Sequence, residues 1–476
     1  MSLVPYSAGL RLYERLPPSL KSAMGAVMSP VPRSLLLGGG FRRRLEGLME
    51  SERRSREELE RIQLRQLRLV LEHAERNVPY YHDVFKAVGL RSQEVKDLGA
   101  LRRLPVLTKD IIRKEGERMI ASDQASYRPG KASTTGSTGR PLSFLLDQQT
   151  REVELAAVWR HYLGCGASGL DARIASFRGD FVSERERGAL WRWDGRVGEL
   201  TFNTYALGRD NIRKIIGRLN RFRPEIVRGY PHSLYVLSRG MEAAGARMEA
   251  SPRFVHTSSE QLPGSMREAI ESAMGCPVRD WYSQSEYVIS AGECSEGRYH
   301  QNMETGAIGL LEDDWGMERL IGTSLCNRSM PFINYDIGDH VTLGGECPCG
   351  REHVTFRAIE GRVNDMIITA GGRAVSGVGV DNFYEKEVIP FLAVPPEFLM
   401  LVQEDALKFT IEVYSSAGLE DAEADRIRRS FAELLGEGSD ITIKLLESMP
   451  DRKKWKNVES RLSAEAIARL IQEHNS

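Results

Sequence analysis

The sequence predicts an α/β protein with a large N-terminal domain, which begins with a helical leader, and a small α+β C-terminal domain. A length of 476 residues exceeds what one small hydrophobic core accommodates. Between Asp171 and Glu286, apolar strand-like runs alternate with helical stretches, a pattern typical of parallel strands covered by helices. After Gly361 the order changes to hairpin, helix, strand and helix, which indicates a separate unit.

The leader, about residues 1–100, is predicted to contain one long amphipathic helix from Leu45 to Val78. Apolar residues recur there at alternating steps of three and four positions, which places them on one helix face. We expect the helix to end before Pro79, because a residue that precedes proline disfavours the helical conformation.

Four apolar runs in the middle of the chain are predicted to form parallel strands. Open α/β sheets bind ligands beyond the carboxyl ends of their strands, so the residues that follow each run are candidates for a site. Polar, small and aromatic residues follow three of the runs, at 228–231, 257–260 and 282–286. The predicted strands are Ala172–Phe177, Glu225–Val227, Phe254–His256 and Val278–Trp281.

The C-terminal part is predicted to be a compact domain of residues 362–476, which follows an N-terminal domain of residues 1–361. The boundary is expected between Glu360 and Asp365. The predicted elements are a hairpin of Phe398–Gln403 and Lys408–Tyr414, a helix at Ala422–Leu435, a strand at Ile441–Leu446 and a closing helix at Ala464–Glu473.

The charge balance favours a small-molecule partner over nucleic acid, because 65 Lys and Arg face 66 Asp and Glu. The first twenty residues lack an unbroken apolar segment, and the run from Phe391 to Val402 is short and interrupted by Pro395 and Pro396. We therefore expect a cytoplasmic protein without a transmembrane segment. The sequence does not determine the oligomeric state, and a homodimer is one possibility.

The loop from Ser133 to Pro141 combines five hydroxyls, two glycines and one cation with no large side chain. Such a composition suits a backbone that wraps a phosphate, although a plain turn or linker is the alternative. The loop does not match the nucleotide-hydrolase pattern G-x-x-x-x-G-K-[ST]. The candidate phosphate-binding residues are Ser133, Thr134, Thr135, Gly136, Ser137, Thr138, Gly139 and Arg140.

Three cysteines and one histidine form a second candidate site. Cys347 and Cys349 lie in a tight Cys-Pro-Cys-Gly turn, and Cys294 and His300 lie some fifty residues upstream. Three sulfurs and one imidazole are a suitable ligand set for zinc. The C-x-C spacing is tighter than usual, so four unconnected reduced residues are the alternative.

Several segments occur in the order found in adenylate-forming ligases. The sequence resembles the phenylacetate–CoA ligase branch of that superfamily, including CapK-type proteins, over nearly its whole length. The resemblance implies a large adenylate-forming domain and a small mobile lid domain. The matching segments are the loop at 133–141, Ser258-Ser259-Glu260, Tyr282-Ser283-Gln284-Ser285-Glu286, Tyr335-Asp336-Ile337-Gly338-Asp339, Gly361-Arg362-Val363-Asn364-Asp365 and a late lysine.

The resemblance assigns roles in nucleotide binding and catalysis. It implies that Glu286 binds Mg²⁺, that Asp339 accepts hydrogen bonds from the ribose, and that Arg362 lies near ribose and phosphate at the domain junction. Arg140 would bind the leaving phosphates. The residues matched to the adenine surroundings are Ser258, Ser259, Glu260, Tyr282 and Ser283.

The resemblance also implies a hinge at Asn364 and a catalytic lysine at Lys456, which would contact the attacking carboxylate. Trp455 replaces the usual glycine beside it, so Lys453 or Lys454 is the alternative, as is a solvated lysine cluster. Arg140 and Asp336 also differ from the residues common in the family, which are lysine and arginine.

The function that the resemblance implies is ATP-dependent activation of a small, aromatic or otherwise apolar carboxylic acid as an acyl-adenylate, with transfer to coenzyme A. ATP, Mg²⁺, CoA and a structural zinc are the implied cofactors. Tyr230 and Ile289 are candidates for the acyl pocket. Transfer to an amine, a sugar or a carrier protein is an alternative, and so is a non-catalytic binding protein.

Overall fold

The computed structural model describes residues 33, 37–134, 142–178, 189–194, 198–207, 209–312, 317–362, 366–371, 374–377, 380, 383–384, 387–394, 396, 398–448, 450, 458–462 and 466. The predicted closing helix at 464–473 lies outside these residues except for Ala466. No helix among them is both long and apolar enough to cross a membrane.

The leader contains separate helices, so the prediction of one long helix is wrong. Helix α1 spans Gly38–Ser51, α2 spans Arg56–Asn77 and α3 spans Pro79–Val88. Ser55 caps α2: its hydroxyl accepts from the Glu58 amide at 3.3 Å, and the Glu58 carboxylate accepts from the Ser55 amide at 3.1 Å. This reciprocal cap satisfies helix-end donors and starts a new helix. The predicted end before Pro79 is confirmed.

A short helix and a hairpin lead into the central part of the chain. Helix α4 spans Lys109–Glu115, and the antiparallel strands β1 and β2 span Gly130–Ser133 and Ser143–Leu146. Helix α5, Gln148–Gly164, follows and is buried along most of its length, with Trp159 and other apolar residues packed against α1.

The described residues form a sheet of twelve strands in the order β11-β12-β13-β14-β10-β9-β8-β7-β6-β3-β5-β4. Strands β5, β3, β6, β7 and β8 run parallel, which confirms the four strands predicted from the sequence. The sheet strands are β3 Ile174–Phe177, β4 Trp191–Asp194, β5 Glu199–Phe202, β6 Ile226–Gly229, β7 Phe254–Ser258, β8 Val278–Ser283, β9 Ser290–Glu293, β10 Tyr299–Gln301, β11 Gly306–Glu312, β12 Glu318–Ser324, β13 Tyr335–Leu343 and β14 Thr355–Arg362.

Helices connect the parallel strands, as expected for crossovers in one sheet. Helix α6 spans Arg209–Phe222, α7 spans Pro231–Ala244 and α8 spans Gly264–Met274. Their apolar faces pack with the strands into one hydrophobic cluster. The antiparallel half of the sheet packs against the leader helices and forms a second hydrophobic cluster.

The C-terminal residues have a sheet and a core of their own. Its four described strands follow the order β19-β18-β17-β20. The predicted hairpin, helix and strand are confirmed. The elements are β15 Met366–Ile368, β16 Ala374–Ser376, β17 Phe398–Asp405, β18 Lys408–Tyr414, α9 Asp421–Leu435, β19 Asp440–Leu445 and β20 Val458–Ser460.

Candidate active site and metal centre

The carboxyl ends of the parallel strands meet at one edge of the large sheet. Register pairs place Phe177 beside Gly229, Gly229 beside Thr257, and Ser258 beside Trp281. A methyl group on Gly229 would approach the Phe177 carbonyl oxygen to 2.8 Å, so a glycine permits the close packing of these strand ends. The residues gathered at this edge are Arg178, Tyr230, Ser258, Ser259, Tyr282 and Ser283.

A hydrogen bond links this edge to the antiparallel half of the sheet. The Tyr282 hydroxyl donates to Asp339 Oδ2 over 2.6 Å. Asp339 is only 8% exposed and lies in β13, where it pairs in register with Arg362 of β14. Three residues that are far apart in sequence, and that were matched to adenine, ribose and phosphate contacts, are therefore neighbours.

Glu286 lies in the turn after β8 and is 3% exposed. The Tyr335 hydroxyl donates to its Oε1 over 2.7 Å, which fixes the orientation of the carboxylate. The turn is stabilised by Gln284, whose Oε1 accepts from the Ile289 amide at 3.1 Å. The Ile289 side chain packs closely enough on Gly306 that a methyl group there would approach its Cδ1 to 2.7 Å.

The segment after β7 adopts an unusual backbone conformation. Ser259 has φ of +74°, a conformation that residues with a side chain rarely adopt and that is common at functional sites. Its hydroxyl donates to Ser258 Oγ at 3.5 Å, and the Glu260 carboxylate accepts from the His232 amide at 3.3 Å. This second hydrogen bond ties the turn after β7 to the N-terminal end of α7.

The described residues of the predicted phosphate loop lie at the loop end of the β1–β2 hairpin. Ser133 pairs with Ser143, and Thr134 Oγ1 accepts from the Leu142 amide at 3.0 Å. The other sequence-predicted residues of this loop, together with the hinge and the lysines, lie outside the described residues: Thr135, Gly136, Ser137, Thr138, Gly139, Arg140, Asn364, Lys453, Lys454 and Lys456.

The structure brings the predicted metal ligands together. Cys294 follows β9, His300 lies in β10, and Cys347 and Cys349 lie between β13 and β14. The ligand atoms of these four residues all lie within 4.8 Å of one another. Cys294 Sγ is 3.6 Å from Cys347 Sγ, and Cys349 Sγ is 3.3 Å from His300 Nε2.

These separations fit a tetrahedral zinc site, in which Zn–S and Zn–N distances of about 2.3 and 2.0 Å place neighbouring ligand atoms about 3.5–3.8 Å apart. Burial, with help from the nearby cation of Arg351, lowers the pKa of His300 to about 3. The imidazole is therefore neutral at physiological pH, as a metal ligand must be.

Two polar residues near the sheet edge were not identified from the sequence. Arg178 directly follows β3 and donates to Ser258 Oγ. Its position in the sequence could have identified it, because Arg178 follows a predicted strand, as Tyr230 and Ser259 do. Glu154 lies inside helix α5, where burial raises its pKa to about 7; no spacing or motif marked it.

Comparisons with known proteins agree with this geometry. No protein-family model matches the sequence. The protein CapK of Staphylococcus aureus is 25% identical over 324 residues, which cover 67% of this chain and 71% of CapK. A phenylacetate–coenzyme A ligase of Aromatoleum evansii is 26% identical over 379 residues, covering 76% of this chain and 82% of that protein.

Among solved structures, a 2-hydroxyisobutyryl-CoA ligase in the postadenylation state superimposes with a TM-score of 0.67 at 19% identity, and covers 89% of this chain and 94% of that one. The fold is therefore that of the adenylate-forming ligases. The chain is similar in sequence to CapK and to the phenylacetate–CoA ligases, which confirms the resemblance inferred from the sequence motifs.

Proposed function

We propose that this protein activates a carboxylic acid with ATP as an acyl-adenylate and then transfers the acyl group to coenzyme A. The observation that carries the proposal is the Tyr282–Asp339 hydrogen bond, 2.6 Å long, at the carboxyl edge of the parallel strands. It joins the residue proposed to face adenine to the carboxylate proposed to bind the ribose. Relatives named phenylacetate–coenzyme A ligase support an acid–thiol ligase.

In this proposal the nucleotide lies across the sheet edge. Asp339 accepts hydrogen bonds from the ribose hydroxyls, for which a carboxylate with two acceptor oxygens is suited. Ser258, Ser259 and Glu260 line the adenine on one side, and Tyr282 and Ser283 line it on the other. The positive φ of Ser259 turns the backbone at this point.

Charge develops on the α-phosphate and on the leaving pyrophosphate, so the site must supply cations and donors. Arg362, next to Asp339 in the β13–β14 ladder, is proposed to supply one cation. The loop from Ser133 to Gly139, with Arg140, is proposed to hold the β- and γ-phosphates. Lys456 is proposed to contact the attacking carboxylate, with Lys453 and Lys454 as alternatives.

Glu286 is proposed to bind Mg²⁺, because a carboxylate held by the Tyr335 hydroxyl presents a hard oxygen ligand. A bound Mg²⁺ would neutralise phosphate charge. The Cys294, His300, Cys347 and Cys349 cluster is proposed to bind a structural zinc that ties β9 and β10 to the β13–β14 connection. Tyr230 and Ile289 are proposed to border the acyl group.

We further propose that residues 1–361 and 362–476 are separate domains with a hinge at Asn364. Supporting this division, the hydrophobic clusters of the N-terminal part hold no residue beyond Ile359 within the described chain, and the C-terminal cluster begins at Ile367.

The test is acid-dependent release of pyrophosphate from ATP, followed by thioester formation when CoA is added. Lys456→Ala should lower pyrophosphate release by at least about a hundredfold. Lys444→Ala, which removes an exposed lysine paired with Glu412, is the matched control and should retain the rate. Equal rates in both variants would remove Lys456 from its role. An absence of ATP binding and turnover with every acid would favour a non-catalytic binding protein.

A further inference from the structure

Arg178 lies beside the proposed acyl pocket, and the proposed binding of the nucleotide does not use its positive charge. Arg178 is the first residue after β3, and Phe177 before it pairs in register with Gly229, the residue that precedes Tyr230. Its guanidinium carbon lies 6.0 Å from the centre of the Tyr230 ring, and one Nη donates to Ser258 Oγ. Arg178 therefore lies between the proposed acyl pocket and the proposed adenine segment.

The guanidinium keeps unused hydrogen-bonding capacity in a half-buried position. Its Nε is shielded from solvent and has no hydrogen-bond partner in the described part of the chain. An arginine carries five N–H donors in a planar fork that matches a carboxylate. Within the described residues, no carboxylate forms an ion pair with Arg178.

Glu199, an acidic side chain on which Arg178 acts, is already engaged with another cation. Glu199 is buried and lies 2.7 Å from Arg228 Nη2. Burial raises the pKa of Glu199, whereas Arg228, Arg33 and, more weakly, Arg178 act to lower it. Asp194 also acts on Glu199, so among the described residues two carboxylates face three arginines, and the edge beside Tyr230 retains positive charge.

We propose that Arg178 binds a second carboxylate on the acid that the enzyme activates, so that the substrate is a dicarboxylic acid whose apolar body lies against Tyr230. The inference rests on the proposed function, since it names the substrate class of that site. A carboxylate would accept from the Nη donors of the fork that do not bond to Ser258, and within the described residues no carboxylate takes this place. An unsubstituted apolar acid would leave these donors without such a partner, which costs binding free energy.

The experiment compares matched acids that differ by one carboxylate: propionate with malonate, butyrate with succinate, and phenylacetate with 4-carboxyphenylacetate. Acid-dependent pyrophosphate release gives kcat and KM for each acid with the full-length protein. The wild type should prefer the dicarboxylate of at least one pair by about tenfold or more, mainly through KM.

Arg178→Gln should lose this preference, with a fall in kcat/KM about ten- to hundredfold larger for the dicarboxylate than for its monocarboxylate partner. Arg178→Lys keeps the charge without the fork and should retain part of the preference. Arg239→Gln, which changes an exposed arginine paired with Glu242, is the matched control and should keep the wild-type ratio. Thermal unfolding of each variant checks that the fold is intact.

An equal loss for both acids of every pair in Arg178→Gln would overturn the inference and assign Arg178 to the nucleotide. A wild type that prefers the monocarboxylates would also overturn it, while leaving the proposed function intact. Pyrophosphate release with none of the acids would instead overturn the proposed function, and the inference with it.

Discussion

Replacing Tyr282 with phenylalanine removes one hydroxyl from the proposed nucleotide site and leaves the ring in place. The lost hydrogen bond spans 2.6 Å to Asp339, a residue that is 8% exposed. A hydrogen bond to an ionised acceptor stabilises by about 1.5–3 kcal/mol. Because little water reaches Asp339 to replace the donor, we expect the free energy of unfolding to fall by about 2 kcal/mol. A loosened Asp339 should raise the KM for ATP about tenfold, which corresponds to about 1.4 kcal/mol.

The control is a second tyrosine–aspartate bond of similar length. Tyr299 donates to Asp280 Oδ2 over 2.9 Å, in a part of the sheet with no proposed nucleotide contact. Tyr299→Phe should lower the free energy of unfolding without changing the KM for ATP. The assay combines urea unfolding with initial rates at varied ATP. If both variants leave the KM for ATP at the wild-type value, or raise it equally, Asp339 does not bind the ribose.

Two further predictions concern the metal centre and a buried acid. The purified protein should contain one equivalent of zinc by elemental analysis. Cys349→Ser should lose the metal and unfold more easily, whereas the control Cys276→Ser should keep the zinc and the wild-type stability. A wild-type protein without zinc would refute the site. Burial raises the pKa of Glu154 from 4.5 to about 7. The folded state therefore holds this proton more tightly than the unfolded state does. The contribution of Glu154 to the free energy of unfolding is complete below pH 4.5 and is lost as the pH rises to 7. Between those limits the wild type should lose about 3 kcal/mol of unfolding free energy relative to Glu154→Gln, and parallel pH profiles of the two proteins would contradict this.

The parallel strands could be predicted from the sequence because strands buried on both faces appear as short apolar runs. The break between α1 and α2 could not be found from apolar spacing, since Glu52, Arg53 and Arg54 are as polar as a solvent-facing helix turn. Ser55 and Glu58 did carry the capping pattern, which marks a helix start. The antiparallel half of the sheet, with charged residues in β12 and β13, has no comparably clear pattern.

The order of the motifs along the sequence predicted which residues belong to the candidate site, but not which of these residues contact one another. The bonds from Tyr282 to Asp339 and from Tyr335 to Glu286 join segments about fifty residues apart, and such pairing depends on the tertiary fold. The cysteine cluster was predictable because its residue types are rare and specific. Arg178 also follows a predicted strand, Ala172–Phe177, but its contact with Ser258 depends on the tertiary fold.

The central claim is that the acid attacks the α-phosphate of ATP, and isotope transfer tests it most directly. The reaction is run with a carboxylic acid that carries oxygen-18 in its carboxylate, and the products are analysed by mass spectrometry. Attack at the α-phosphate predicts that one labelled oxygen appears in AMP after transfer to CoA. Label in inorganic phosphate together with ADP, or AMP without label, would contradict the proposed acyl-adenylate.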